Sequence, residues 1–374
     1  MDTALAVNSL LVWLVPLAVV ATAARGGEDE RWKKIAPFFA PPPELANDSG
    51  SYASPLVFDD GTPVRTPADW QRRRQEILAA WHGLMGQWPP LIEKPSVEVL
   101  ETVRGQGFAQ RKVRLDVAPG RKLDGYLLVP EGKGPFPAVL VVFYDAETGA
   151  GLKPDKMSCA FGHQLTRRGF VSLSIGGAGS YTPPSGGVLQ PLSFLAYVGA
   201  NCHSALAALP EVDAKRIGVV GHSFGGKWAM FASCLYGKFA CAAWSDPGIV
   251  FDEKRANVNY WEPWYLGLEP GVSRKPGIPT DANPRTGAYK RMVEARRDLH
   301  ELHALMAPRP FLVSGGSEDL PERWKPLNRA IAVNRLLGCE NRVAMTNRKG
   351  HSPTEESNEQ LCLFFEHFLG HAAP

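Results

Sequence analysis

A serine set between two glycines carries the chemistry of this chain. Residues 217–220, Ile-Gly-Val-Val, are apolar, with β-branched side chains at three of the four positions. They run into Gly221-His222-Ser223-Phe224-Gly225-Gly226, after which Lys227-Trp228-Ala229 begins a helix-compatible stretch. A buried strand, a sharp turn and a helix, in that order, present a serine hydroxyl at the helix N-terminus. There, backbone N–H groups and the helix dipole stabilise negative charge developing on a neighbouring oxygen. Gly221 and Gly225 suit such a turn because side chains there would collide with crowded backbone. The chemistry this arrangement serves is nucleophilic attack on a carbonyl. A serine hydroxyl is a weak nucleophile at its own pKa, so it needs an imidazole base within hydrogen-bond reach and a carboxylate to orient that imidazole.

The rest of the chain must position those groups. A helix is expected over residues 67–85, opened by Thr66-Pro67-Ala68-Asp69 and striped at helical spacing by Trp70, Ile77, Leu78, Trp81 and Leu84. Strands are expected over residues 97–103, 109–117 and 123–129, with turn signals such as Pro119-Gly120 between them. From Pro137 strands and helices alternate: strand 138–144, helix 156–168, strand 171–175, helix 192–209, strand 217–220 and helix 223–236. Strands at 240–244 and 310–314 and a closing helix at 356–369 complete the pattern. Such alternation predicts an α/β fold, a mostly parallel central sheet with helices on both faces. Residues 247–300 interrupt it with loop-rich sequence bearing Tyr260, Trp261, Trp264, Tyr265 and Tyr289. They are expected to form a lid or rim over the site, or else a packed structural insertion. The elbow, with antiparallel strands early and parallel units later, resembles the α/β-hydrolase superfamily across about residues 95–370.

That resemblance implies the chain order serine, acid, histidine. Only His351, His367 and His371 follow the strand at 310–314. His351 lies in Asn347-Arg348-Lys349-Gly350-His351-Ser352-Pro353, a loop before the closing helix, where the base is expected; His367 falls within that helix and His371 in the tail. Three carboxylates compete for the acid. Asp319, three residues beyond the Gly315-Gly316 turn that ends the 310–314 strand, is the first choice. Asp246, in Trp244-Ser245-Asp246-Pro247-Gly248, is the second, and Glu318 the third; the losers would be capping or turn-forming carboxylates. The oxyanion hole should combine the Phe224 amide with an amide following the 138–144 strand, from Tyr144, Asp145 or Ala146.

Within the superfamily, Val212-Asp213-Ala214-Lys215-Arg216-Ile217-Gly218 and Ala307-Pro308-Arg309-Pro310 resemble dienelactone hydrolases and acetyl xylan esterases. A narrower resemblance is to glucuronoyl esterases, which carry Gly-x-Ser-Arg-x-Gly-Lys and which Gly226-Lys227 matches. It implies that Lys227 contacts polar groups of a sugar, that Asp246 stands where some members place their acid, and that Trp261 or Trp264 forms an aromatic sugar platform. The chain departs from that pattern after the serine, where the family's oxyanion-assisting arginine is Phe224. The expected function is a secreted serine esterase acting on carbohydrate-linked acetyl or glucuronoyl esters through an acyl-enzyme on Ser223. Two other readings stand beside it. One is a prolyl-oligopeptidase-like serine peptidase, which Gly-His-Ser-Phe-Gly-Gly also suits. The other is a non-catalytic binding protein on a hydrolase scaffold, whose signature would be loss of the serine or histidine.

Composition narrows the partners. With a net charge of +3 and 21% charged residues, the chain carries no electrostatic signal for nucleic acid. Its densest basic run, Arg72-Arg73-Arg74, falls on an amphipathic helix as a solvated face. Residues 1–24 read as a signal peptide with cleavage near Ala23 or Ala24, an uncleaved N-terminal anchor being the competitor. Residues 25–65, with Pro41-Pro42-Pro43, read as an extended arm, and residues 66–374 as the hydrolase domain. The six cysteines show neither Cys-x-x-Cys nor zinc-ligand spacing, and no metal or dissociable cofactor is implied.

Overall fold

A computed structural model describes residues 30–105, 107–177 and 189–370; the expected signal peptide lies outside the described residues. Nine strands make one sheet: β1 (Val97–Gly105), β2 (Phe108–Ala118), β3 (Arg121–Pro130), β4 (Phe136–Val142), β5 (Val171–Ile175), β6 (Val212–His222), β7 (Cys241–Ser245), β8 (Phe311–Gly315) and β9 (Val343–Asn347). Their order across the sheet is β1-β2-β3-β5-β4-β6-β7-β8-β9. The pairs β1–β2, β2–β3 and β3–β5 are antiparallel, and every pair from β5 to β9 is parallel.

Residues 137–142 of β4 and 217–221 of β6 are buried on both faces, which is why they read as apolar runs. In β4, Ala138, Leu140 and Val142 enter one core, while Val139 and Val141 enter the other. The first core takes α4 (Pro191–Ala207) and α5 (Phe224–Leu235), with Phe194, Trp228 and Phe231 fully buried. The second takes α3 (Phe161–Thr166) and α9 (Glu355–Phe368), through Phe161, Phe364 and Phe365. Helix α1 (Pro67–Met85) starts at a capping box in which Thr66 accepts from the Asp69 amide, and it buries Trp70, Ile77 and Trp81. A single helical turn, α2 (Ala146–Gly149), follows β4.

Chain path and site meet at β4. From β4 the chain crosses to β5 on one side and later returns to β6 on the other. A crevice opens at the carboxyl ends of strands where the winding direction reverses, so residues leaving β4 and β6 face a common space.

Several expectations are revised. The helix foreseen over residues 156–168 is broken: a 3₁₀ segment covers Pro154–Cys159, with Lys156 outside helical geometry, and α3 starts only at Phe161. Strand β9 and helix α8 (Trp324–Leu336) were not foreseen. Residues 30–65 lie on the body: Ile35, Phe38 and Phe39 are buried, and the Asn328 side-chain amide donates to the carbonyls of Leu45 and Asp48. The 247–300 insertion contains α6 (Gly287–Glu294) and leads into α7 (His300–Leu305). Four of its five aromatic residues named above, Tyr260, Trp261, Tyr265 and Tyr289, are buried. The six cysteines are free thiols.

Candidate active site

Strand β6 ends at His222, α5 begins at Phe224, and Ser223 is the turn between them at φ 56° and ψ −114°. That region is sterically costly for a residue with a Cβ. It is sustained by close backbone approach on both sides. A Cβ on Gly221 would lie 2.1 Å from the Gly225 carbonyl oxygen, and one on Gly225 would lie 2.0 Å from that of Val142. The Ser223 amide donates to the Ser245 carbonyl at 2.8 Å, tying the elbow to the end of β7.

His351 meets this serine across 128 residues of sequence: its Nε2 is 2.8 Å from the Ser223 hydroxyl oxygen. Its Nδ1 is 2.7 Å from Oδ2 of Asp246. With Nδ1–H donating to the carboxylate, Nε2 carries the free lone pair and accepts the serine O–H.

The carboxylate on His351 is therefore Asp246, and the placement of Asp319 or Glu318 there is corrected. Asp246 follows β7 directly, at φ 49°, and is fully buried. Its Oδ1 accepts from the amides of Gly316 (2.7 Å), Asp319 (2.9 Å) and Glu318 (3.1 Å). Burial pushes its pKa up, but the bonds from His351 and the Asp319 amide, with the Arg348 charge, hold it below the ordinary value. Asp319 faces the other way and accepts from the amides of Gly248 (2.9 Å) and Ile249 (2.7 Å). The two loops thus brace each other: the Asp319 amide holds the Asp246 side chain, and the Asp319 side chain holds the chain just beyond Asp246. Burial and the Asp246 charge raise the Asp319 carboxyl to about 6. Glu318 is buried and accepts from the Ser317 hydroxyl (3.0 Å) and the Asn257 amide (3.3 Å).

Two further residues contact His351. Arg348 donates to the His351 carbonyl (2.5 Å), the Ser314 carbonyl (2.8 Å) and the Ser352 carbonyl (2.9 Å), which pins the His351 loop to β8. Its place three residues before His351 was the only signal for it. The His222 ring lies 4.7 Å from that of His351, and burial lowers its pKa to about 3, so it packs there as a neutral imidazole.

The oxyanion candidates differ in their surroundings. Phe224 is the first residue of α5, so its amide has no partner four residues back within the helix. Asp145 and Ala146 lie against Gly176, where a Cβ would fall 2.2 Å from the Asp145 Cα and 2.6 Å from the Ala146 nitrogen. That sets both against the segment leaving β5, with Asp145 capping α2. Tyr144 lies over the elbow, its ring stacked on Phe224 at 4.8 Å.

The three residues expected at substrate fare differently. Lys227 is 2% exposed and points inward. Its Nζ donates to the carbonyls of Pro247 (2.6 Å) and Asn257 (3.2 Å) and lies 5.0 Å from the Tyr260 ring centre. It cannot contact a sugar; it ties the loop after Asp246 to α5. Burial lowers its pKa to about 8. Lys227→Met leaves the carbonyl of the buried Pro247 without its Nζ donor, and a buried unsatisfied carbonyl costs about 1–3 kcal/mol. The expected result is a lower urea midpoint, with kcat reduced because Asp246 sits on the loosened loop. Trp261 is fully buried, its indole N–H on Glu262 at 3.0 Å, so it offers no platform. Trp264 is 48% exposed and packs against Tyr265, which in turn packs against Phe224.

Similarity to known proteins points the same way. A family model described as "Esterase FrsA-like" matches residues 98–243. The chain is 23% identical over 365 residues to a 4-O-methyl-glucuronoyl methylesterase of Thermothelomyces thermophilus, covering 87% of this chain and 83% of that protein. Among solved structures, a glucuronoyl esterase from Solibacter usitatus superposes with a TM-score of 0.68 at 19% identity, covering 86% of this chain and 99% of the other. A glucuronoyl esterase from Sporotrichum thermophile, solved in complex with methyl 4-O-methyl-β-D-glucopyranuronate, gives 0.55 at 19% identity, covering 88% and 90%. The likeness extends over most of the fold.

Proposed function

We propose that this α/β-hydrolase is a serine carboxylic ester hydrolase acting on carbohydrate-linked esters, with Ser223 as nucleophile, His351 as general base and Asp246 as the orienting carboxylate. The observation that carries the reading is the unbroken hydrogen-bonded path from the Ser223 hydroxyl through the imidazole to a buried, ionised carboxylate. The serine oxygen bonds to the ester carbon as its proton passes to Nε2, and the carbonyl electron pair moves onto oxygen, where the Phe224 amide donates to it. Collapse expels the alcohol, which takes the proton from the imidazolium. Water, deprotonated by the same Nε2, then releases the acid from the acyl-enzyme.

The carbohydrate part of the proposal draws support from the relatives' glucuronoyl esters and from Trp264, an exposed indole beside the aromatic residues next to Ser223. Export belongs to the same reading and rests on the apolar segment of residues 10–24. Among the described residues no helix is long and apolar enough to cross a membrane. The test is labelling by a fluorophosphonate, followed by turnover of 4-nitrophenyl acetate, benzyl glucuronate, acetylated xylan and a peptide anilide. Labelling at Ser223 with turnover of the sugar esters is the expected result; cleavage of the anilide alone would overturn the substrate class. If Trp264 receives the sugar, Trp264→Ala raises KM for benzyl glucuronate several-fold and leaves kinetics on 4-nitrophenyl acetate unchanged.

A further inference from the structure

Among the described residues, two polar side chains meet the Ser223 hydroxyl: the His351 imidazole at 2.8 Å and the phenol of Tyr144, which lies within hydrogen-bonding reach. The acyl-transfer steps give the imidazole its task and leave the phenol without one. Tyr144 leaves β4 directly beside the elbow, since β4 pairs with β6 up to Val142 opposite Gly221. Its ring lies on Phe224 with centroids 4.8 Å apart and planes 30° apart, and meets Phe143 edge-on at 5.0 Å and 86°. Two aromatic contacts at different angles fix the ring, so the hydroxyl at its tip has little freedom of position. Tyr144 is 47% exposed, so it forms part of the open wall of the cleft next to the nucleophile.

The oxyanion needs more than the elbow itself supplies. The Phe224 amide is one donor, and the Phe224 side chain carries none. His351 Nε2 is occupied in taking the serine proton during attack, so it cannot donate to the carbonyl oxygen at that moment. Asp145 and Ala146 sit against the segment leaving β5. A donor already held beside the serine, on a rigid ring, meets the geometric demand of oxyanion stabilisation: it is in place before charge develops.

We propose that Tyr144 is a catalytic residue whose phenolic O–H donates a hydrogen bond to the oxyanion formed when Ser223 attacks the ester. In the free enzyme the phenol lies beside the serine hydroxyl. When the carbonyl oxygen enters, the O–H turns onto it. As the serine–carbon bond forms, the carbonyl electron pair moves to that oxygen and the serine proton goes to His351. The Tyr144 proton stays on Tyr144 throughout, donated and never transferred. On collapse the pair returns, the carbon–alkoxide bond breaks, and the imidazolium proton leaves with the alcohol. Burial raises the phenol's pKa, which keeps it in the donor form at neutral pH.

The inference rests on Ser223 being the nucleophile, and its test separates the two. The readout is the second-order rate of Ser223 phosphonylation by a fluorophosphonate, whose phosphoryl oxygen takes the oxyanion position, together with kcat and KM on 4-nitrophenyl acetate. Tyr144→Phe keeps the ring and both aromatic contacts and removes only the O–H. Loss of one oxyanion donor costs about 10²-fold in rate, so phosphonylation and kcat should both fall by about that factor with KM and thermal midpoint unchanged. Equal rates in Tyr144→Phe and wild type overturn the role of the phenol and leave the serine hydrolase intact. A loss seen in Tyr144→Ala but not in Tyr144→Phe assigns the ring to packing and overturns it equally. Wild-type protein that is not labelled at all removes both readings.

Discussion

Ser223→Ala lowers kcat on an aryl acetate by roughly 10⁶-fold, and adding His351→Ala to it lowers the rate hardly further, because the two groups act as one unit. The structure supplies the reason. Among the described residues the serine proton has its hydrogen-bonded acceptor in Nε2 at 2.8 Å, and a serine without that acceptor is as poor a nucleophile as any surface hydroxyl. What survives is water attack on a substrate still held at the oxyanion donors. Mass spectrometry of a quenched reaction checks the chemistry directly, by an acyl adduct on the peptide bearing Ser223 that is absent from the variant. An adduct on any other residue, or a variant that keeps most of its turnover, would sink the assignment. Folding is not at risk: the elbow conformation is set by Gly221, Gly225 and the Ser223 amide, none of which the substitution alters.

Asp246→Asn should lower kcat about 10⁴-fold, since an amide facing Nδ1 favours the wrong imidazole tautomer and cannot stabilise the imidazolium. Asp319→Asn should cost less than about tenfold, because its effect reaches the base only through loop position. The contrast discriminates between two buried aspartates whose loops interlock. Their protonation behaviour differs as well. Asp246 is held below the ordinary carboxylate value by His351 and by amide donors, so it stays ionised through the neutral range and does not limit the reaction there. Asp319 is raised from 3.8 to about 6, so the native state prefers its protonated form. Its contribution to stability is therefore present below the unfolded value and is lost as pH rises through about 6. Relative to Asp319→Asn, wild-type stability should decline between about pH 4 and pH 6, read from urea unfolding at several pH values. Equal kcat losses in the two variants would show that the identity of the carboxylate on His351 does not matter to the reaction.

Much of the scaffold was open to inspection in the sequence. Residues 137–142 of β4 and 217–221 of β6 are apolar runs because helices cover both faces there, and burial on both sides leaves no polar position to confuse the period. β9 escaped because Val343-Ala344-Met345-Thr346-Asn347 has little strand preference of its own, and it is a strand because it pairs with β8 from Phe311 to Gly315. The arm of residues 25–65 reads as extended from its prolines. Yet Ile35, Phe38 and Phe39 are spaced among them, and apolar side chains of that size find a core when one is near.

Local sequence pointed to Ser223 and His351 as the proposed nucleophile and base. The glycine spacing around Ser223 is legible as a motif although the contacts that require it come partly from Val142 on β4, and His351 sits in the loop ahead of the last helix, so both can be recognised without knowledge of the packing. Only the tertiary structure decided the rest. Asp246 and Asp319 both follow the carboxyl ends of neighbouring strands, and spacing cannot tell which carboxylate turns toward an imidazole more than a hundred residues from one of them. The left-handed backbone at Asp246 and the amides of residues 316–319 make that choice. Lys227 and Trp261 likewise carry side chains suited to a sugar, and the fold turns both inward, because the direction of a side chain belongs to the packing around it and not to its type.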